Sequence, residues 1–187
     1  MKKTALLVAS LLVAAGFSPA QTWEVGITGG YRTIKDQALR TIYGNGFVYT
    51  PYLSLEVAKA LRVGAEYEFG YVKDAAIGLF QDPSTLDVKG GHVFLQYGER
   101  KGRVLPFLKI GVGIFFYKFD VDIPALPGLK VTNNDVSFYF GAGVRYALAK
   151  RIFATAELKY AALWVDPYDD LVDLGGIRAL IGIAIGL

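Results

Sequence analysis

The fold is decided by the stretch Asp135–Trp164, which reads DVSFYFGAGVRYALAKRIFATAELKYAALW. On both sides of residues 147–150, apolar side chains alternate with mixed and charged ones at every second position. Successive side chains of a strand point to opposite faces, so the pattern predicts a hairpin of two long strands with one apolar face. That face comprises Val136, Phe138, Phe140, Ala142, Val144, Tyr146, Ile152, Ala154, Ala156, Leu158, Tyr160, Ala162 and Trp164.

Two environments would suit this hairpin. In a soluble sandwich or lipocalin the apolar face would fill a core, whereas in a membrane barrel it would meet lipid while the charges line a closed interior. Soluble strands usually run about five or six residues, whereas these alternate for about ten, the length of a strand tilted across a bilayer. Tyr146, Tyr160 and Trp164 stand near the strand ends, where membrane interfaces favour aromatic rings. The hairpin therefore favours the membrane.

The segment Gly141–Tyr160 resembles the late hairpin of small outer-membrane β-barrels of the OmpA, OmpX and OmpW kind. The last strand is similar to theirs as well, because Ile177, Ile181 and Ile185 belong to an apolar row that continues to Leu187. In that family the assembly machinery recognises such a strand, and its usual final residue is Phe. Leu187 departs from this pattern, which bears on the efficiency or receptor specificity of assembly rather than on the fold. The resemblance implies the bacterial outer membrane as location, with its lipids and lipopolysaccharide as surroundings and the barrel-assembly machinery as a partner.

The first twenty residues, Met1–Ala20, read as a secretory signal peptide. Lys2 and Lys3 precede a short apolar run, and the segment 18–20 supplies small residues for cleavage. A membrane-spanning anchor helix is the alternative, but it needs about 20 apolar residues. We therefore expect export with a cleaved signal, followed by one barrel domain over residues 21–187.

The rest of the chain divides into eight alternating segments, whose connections switch between long and short. The long connections are residues 33–45, 73–86, 120–134 and 166–173. An even strand count with short turns on one side is the layout of outer-membrane barrels, whose long loops face outside the cell. We therefore predict an all-β fold, an eight-stranded antiparallel up-and-down transmembrane β-barrel. The predicted strands are residues 23–32, 46–59, 61–72, 87–98, 103–119, 136–146, 152–164 and 174–187.

The inward face of the predicted barrel carries six basic and five acidic side chains. An eight-stranded barrel is wide enough only for side chains or one small ligand. Bare charges there would be costly, whereas paired and hydrogen-bonded charges are tolerated. We predict an ion-pair network that plugs the lumen, and the alternative is that the charges line a gated or narrow pore. The charges are those of Glu24, Arg32, Glu56, Arg62, Glu66, Glu68, Lys109, Arg145, Glu157, Lys159 and Arg178.

Catalytic chemistry has few candidates. Glu66 and Glu68 share a face and could form an acid–base pair, but salt bridges to basic neighbours explain them more simply. His92 is the single histidine, and the serines after the signal form no motif with it. The absence of cysteine excludes thiol nucleophiles, thiolate metal sites and disulfides. We predict no enzymatic activity, and the remote alternative is a lipid-modifying enzyme, as some outer-membrane barrels are. The serines considered are Ser54, Ser84 and Ser137.

Four aspartates in the last long connection are candidate ligands of a hard cation such as Ca²⁺, which prefers oxygen ligands. They are Asp166, Asp169, Asp170 and Asp173. Their spacing matches no EF-hand, so a solvated loop is the simpler interpretation, and we predict no cofactor. Without the signal the chain carries 18 basic and 17 acidic residues, which gives no support for nucleic-acid binding.

These expectations combine into a mechanical function. A lipid-facing belt would hold a monomeric barrel, ion pairs would stiffen it, and four extracellular loops would serve envelope integrity or surface interaction. The alternative, implied by the likeness to OmpW-type barrels, is a narrow channel. Such a channel would pass small, mostly apolar solutes through the loop-enclosed end and out sideways.

Overall fold

A computed structural model describes residues 22–123, 126–166 and 171–187. The strands are β1 (Trp23–Arg32), β2 (Gly46–Ala58), β3 (Leu61–Ile77), β4 (Asp82–Gly98), β5 (Val104–Ile123), β6 (Leu126–Ala147), β7 (Ile152–Ala162), β8 (Trp164–Val165), β9 (Val172–Asp173) and β10 (Gly176–Gly186), and the helix α1 is Gln37–Tyr43. Eight of these strands pair, in the order β1-β10-β7-β6-β5-β4-β3-β2, into a closed barrel whose neighbouring strands are all antiparallel. The predicted fold class is confirmed. The signal peptide predicted for Met1–Ala20 lies outside the described residues and stays a prediction.

The barrel is apolar outside and charged inside. In β10, Ile177 and Ile181 point outward and are 50% and 72% exposed, whereas Arg178 points inward and is fully buried. A similar alternation runs through most of β2, β4 and β7. An exposed apolar surface of this extent marks a binding or membrane surface. Among the described residues, no helix has the length and apolar character needed to cross a bilayer.

The two ends of the barrel differ. At one end, here called the turn end, short connections join β2 to β3, β4 to β5 and β6 to β7, and Thr22 and Leu187 lie there as well. At the other, here called the loop end, lie the β1–β2, β3–β4, β5–β6 and β7–β10 connections. The connections therefore alternate between the two ends as predicted, but only the β1–β2 and β7–β10 connections are long.

Two of the four predicted long loops are wrong, because residues 73–86 and 120–134 largely continue the strands. β3 pairs with β4 as far as Ile77 and Asp82, and β5 pairs with β6 as far as Ile123 and Leu126. Beyond the lipid belt a strand needs no apolar face, so polar residues there do not end it. Charged side chains instead pair with each other, as Lys118 Nζ does with Asp120 Oδ2 at 2.8 Å.

The loop end is closed by an apolar cluster, which we call the apolar cap. It lies beneath α1, which Asp36 caps by accepting a hydrogen bond from the Leu39 N–H at 2.9 Å, and beside the small β8–β9 sheet. The cap consists of the buried residues Ile34, Tyr43, Val48, Tyr71, Leu86, Val88, Phe115, Tyr117, Phe119, Leu163, Val165, Leu174 and Leu180. The long connections thus fold back over the barrel and bury apolar surface.

Pro51 weakens one seam of the barrel wall. β2 pairs with β3 at Tyr49–Phe69 and again at Tyr52–Glu66 in an unchanged register, and the two intervening positions make no pair. Proline has no N–H to donate, which accounts for the gap. The register shift in this seam lies further along, between Glu56 and Ala58.

Candidate functional site

The interior charges form three layers, and the one nearest the loop end is here called the upper layer. Arg32 Nη1 lies 3.1 Å from Glu68 Oε1, and Arg178 Nε donates to Glu68 Oε2 at 2.7 Å. Arg32 also donates to the Leu174 carbonyl at 2.6 Å. Arg178 donates to the Gly176 carbonyl at 3.2 Å. All three side chains are at most 1% exposed. In this layer a single carboxylate therefore faces two buried cations.

The middle layer joins Glu66 of β3, Lys109 of β5, and Glu157 and Lys159 of β7. Lys109 Nζ donates to Glu66 Oε2 at 2.7 Å and lies 3.4 Å from Glu157 Oε2. Lys159 Nζ donates to the other oxygen of Glu66. The ring of Phe94 lies 4.2 Å from Lys109 Nζ, close enough for a cation–π contact. Two cations and two carboxylates therefore balance within one level of the barrel.

The lower layer lies towards the turn end. Arg145 Nη1 donates to Glu24 Oε2 at 2.8 Å, and Arg62 Nη1 lies 3.3 Å from the same oxygen. Arg62 also donates to Glu56 Oε2 at 3.3 Å. Tyr52 donates its hydroxyl to Glu24 Oε1 at 3.1 Å. This layer again pairs two cations with two carboxylates.

The three layers contain all eleven side chains that the sequence analysis assigned to the interior. In ten of them the side chain is at most 12% exposed, and Glu56, at the turn end, is 41% exposed. Apart from Glu56 and Arg62, which lie on the consecutive strands β2 and β3, the paired side chains come from strands that do not follow each other in sequence.

The structure also brings together a serine and a histidine that the sequence did not relate. Ser137 Oγ lies 2.8 Å from His92 Nε2, but Glu66 Oε1 is 3.9 Å from His92 Nδ1, too far for a hydrogen bond. The rings of Phe115 and Tyr139 pack on the imidazole at 4.8 and 5.1 Å. Ser137 is fully buried. A catalytic triad needs a carboxylate hydrogen-bonded to the histidine and a serine that a substrate can reach, and this pair has neither.

The four aspartates suggested as calcium ligands are only partly described. Asp173 accepts hydrogen bonds from two backbone N–H groups and pairs with Lys35, whose Nζ lies 3.0 Å from Asp173 Oδ2. The hydrogen bond to Asp173 raises the pKa of the Lys35 amine. Asp166 is exposed, and Asp169 and Asp170 lie outside the described residues. Within the described ranges no three acidic or histidine side chains are arranged to hold a metal, and the calcium site stays a prediction.

A cavity of about 680 Å³ opens at the turn end of the barrel. Its floor is formed by the lower layer, including Glu24, Arg62 and Arg145, and no middle-layer side chain lines it. A shallower depression of about 290 Å³ lies on the wall at the weak seam, where Pro51 and Ala65 leave space. The larger cavity is thus a bowl with a charged floor.

The family described as "Outer membrane protein beta-barrel domain" matches residues 4–176. The chain belongs to this family. It resides in the bacterial outer membrane, and the predicted family resemblance is confirmed. In barrels of this membrane the short turns face the periplasm, so the loop end of this outer-membrane barrel is extracellular and its turn end periplasmic. No curated protein sequence matches the chain.

Solved outer-membrane barrels have the same fold at low sequence identity. The major outer membrane protein of Thermus thermophilus has a TM-score of 0.65 and 11% identity, covering 90% of this chain and 100% of that one. OprG of Pseudomonas aeruginosa has a TM-score of 0.62 and 11% identity, covering 92% and 98%. Ail of Yersinia pestis, solved in complex with the heparin analogue sucrose octasulfate, has a TM-score of 0.57 and 12% identity, covering 89% and 98%. These structures are similar to this outer-membrane barrel in fold.

Proposed function

We propose that the protein is a closed outer-membrane barrel that presents an extracellular binding surface and does not conduct. The observation that carries this proposal is the filling of the interior. The lower, middle and upper layers occupy successive levels, and the apolar cap lies above them. A buried charge that is paired and hydrogen-bonded is tolerated, but it leaves no room for a file of water. Ion pairs in the core would stiffen the barrel, and the function would reside at its ends.

The plugged interior predicts the absence of steady conductance. Purified full-length protein inserted into a planar bilayer is expected to give no stable current steps, because ions would have to displace paired side chains at three levels. A general porin inserted under the same conditions is the positive control, and heat-shifted mobility of the same preparation in gel electrophoresis verifies that the barrel is folded. Steady channel events from folded protein would contradict the plug.

The extracellular surface has a distinct apolar tip. Leu79 and Phe80, in the turn between β3 and β4, are 97% and 88% exposed and project beyond the barrel. Two adjacent large apolar side chains that are this exposed indicate an interaction site more often than single ones do. Ail, the attachment invasion locus protein of Yersinia pestis, has a similar fold. These points support a role in attachment to an apolar surface.

The double variant L79S/F80S tests the tip directly. Cells that display this variant are expected to lose most of their attachment to a hydrophobic polystyrene surface, because the two apolar side chains no longer leave water there. Attachment is measured at equal amounts of surface-exposed protein. Leu171→Ser is the matched control, since Leu171 is also apolar, 73% exposed and at the loop end. Equal attachment by the wild type and L79S/F80S would count against the tip.

A narrow channel with a side exit is the second candidate. The weak seam at Pro51 favours it, because two positions of the β2–β3 ladder are unpaired there and a depression lies on the adjacent wall. An apolar solute would leave through this seam into the bilayer. The conductance experiment separates the two proposals for ions, and uptake of an apolar dye into proteoliposomes does so for apolar solutes.

We also propose that the barrel has no enzymatic activity. The nearest approach to a catalytic arrangement is the Ser137–His92 pair, and the full burial of Ser137 supports a structural hydrogen bond instead. Incubation of the folded protein with phospholipid or lipopolysaccharide should therefore release or transfer no acyl chains.

A further inference from the structure

The periplasmic end of the barrel concentrates positive charge around the bowl described above. Seven of the side chains that line it are basic and three are acidic, an excess of four positive charges. Arg62 and Arg145 form the floor, and the exposed Lys59, Lys150 and Arg151 belong to the rim. A concave surface with one sign of charge focuses its electric field and raises the local concentration of counter-ions.

Among the described residues, acidic side chains do not form ion pairs with the rim cations. Glu24 and Glu56 are paired with the two floor arginines. In the described residues no ion pair involves Lys59, Lys150 or Arg151. The positive excess of the bowl is therefore available to a ligand.

A second observation points to the floor. Arg145 is 3% exposed and uses one terminal nitrogen for Glu24 and the other for Gln96, at 2.8 and 3.0 Å. Its Nε is buried without a hydrogen-bond partner. An unsatisfied donor on a buried guanidinium is costly. Arg145 lines the bowl, so a shift of its side chain towards a bound oxyanion would give this donor an acceptor.

We propose that the periplasmic bowl binds an anion that carries at least two phosphate groups. The volume of about 680 Å³ suits a small ligand, since binding pockets usually measure about 300–1,000 Å³. One phosphate would reach the floor at Arg145, and a second would meet the rim cations. The shared chemistry is the phosphate pair, and its source is either a soluble polyphosphate or a diphosphate lipid headgroup of the inner leaflet.

The experiment uses the folded full-length protein in a zwitterionic detergent, titrated calorimetrically with inorganic tripolyphosphate at low ionic strength. Saturable binding that weakens as sodium chloride rises is expected, because salt screens exposed charges. The rim variant K59Q/K150Q/R151Q should bind about tenfold more weakly or worse, since it removes three charges from the focusing field. The control K73Q/K118Q/K130Q removes three lysines from the loop end and should bind as the wild type does.

Arg145→Gln tests the floor, and circular dichroism and heat-shifted electrophoretic mobility establish that it folds. Loss of binding by the folded variant supports the assigned floor. A parallel titration with micelles containing cardiolipin identifies a lipid source when only that arm binds, and phosphatidylcholine micelles serve as its blank. The absence of binding in both arms, or equal affinity in the rim variant and the loop-end control, would overturn the proposal.

Discussion

Glu66→Ala is expected to lower the free energy of unfolding by about 3–5 kcal/mol, the cost of leaving a buried charge without its partner. Glu66 binds two ammonium groups, those of Lys109 and Lys159, and its side chain is 1% exposed. Lys109 would keep a contact with Glu157 at 3.4 Å. Lys159, 2% exposed, has no other ion pair among the described residues. The variant therefore leaves at least one buried cation in the middle of the barrel without a paired carboxylate.

Urea-induced unfolding in lipid vesicles, followed by the fluorescence of Trp23 and Trp164, measures this loss. Glu56→Ala is the matched control, because it deletes the same side chain from the same interior at a position that is 41% exposed. Its pair with Arg62 is expected to contribute only about 0.2–1 kcal/mol, as exposed ion pairs do. Equal effects of the two substitutions would show that the middle layer is hydrated rather than buried, and the proposed plug would then fail.

The lipid belt was predictable from the sequence because it obeys one local rule. Along β10, the outward row from Ile177 to Leu187 is wholly apolar, while the inward positions between them hold Arg178, Leu180 and small residues. The strand begins within two residues of its predicted start. Lipid on one face and a packed interior on the other constrain every second side chain. Period-two alternation therefore locates both the strands and the direction in which each charge points.

The extracellular extensions were not predictable by that rule. Outside the membrane, polar residues such as Asp74 and Thr85 can stay in a ladder, and they hydrogen-bond each other at 2.7 Å across β3 and β4. In addition, Gly70, with a φ of +99°, lies where the β3–β4 register shifts by one residue. Such a bulge changes which residues face inward beyond it, and alternation alone does not show where it occurs.

The identity of the ion-pair partners could not be derived from the sequence either. Glu66 and Lys159 are 93 residues apart, on strands that are not neighbours, and meet only because long side chains reach across a narrow barrel. Their inward direction follows from local alternation, but their level depends on strand stagger around the whole barrel. The contact between Ser137 and His92 could not be predicted for the same reason.

Glu68→Ala is expected to destabilise the barrel by a similar amount, about 3–5 kcal/mol, because it removes the one carboxylate of the upper layer. Arg32 and Arg178 are both fully buried and face each other across the β1–β10 ladder. Without Glu68 they repel each other at close range. Glu99→Ala, in an exposed periplasmic turn, removes the same kind of charge and should leave the unfolding free energy unchanged within about 0.5 kcal/mol.

The triple variant R32M/E68L/R178M separates two explanations for the upper layer. Removing all three charges leaves no buried arginine without a counter-charge. Apolar replacement of a buried ion-pair cluster is often neutral or stabilising by about 1–4 kcal/mol. The upper layer already adjoins the apolar cap, as Leu174 illustrates by accepting a hydrogen bond from Arg32. We therefore expect the triple variant to unfold at the wild-type urea concentration or above it. If it is instead as unstable as Glu68→Ala, the ion pairs contribute stability beyond mutual neutralisation, and pairing alone no longer explains why these arginines are buried.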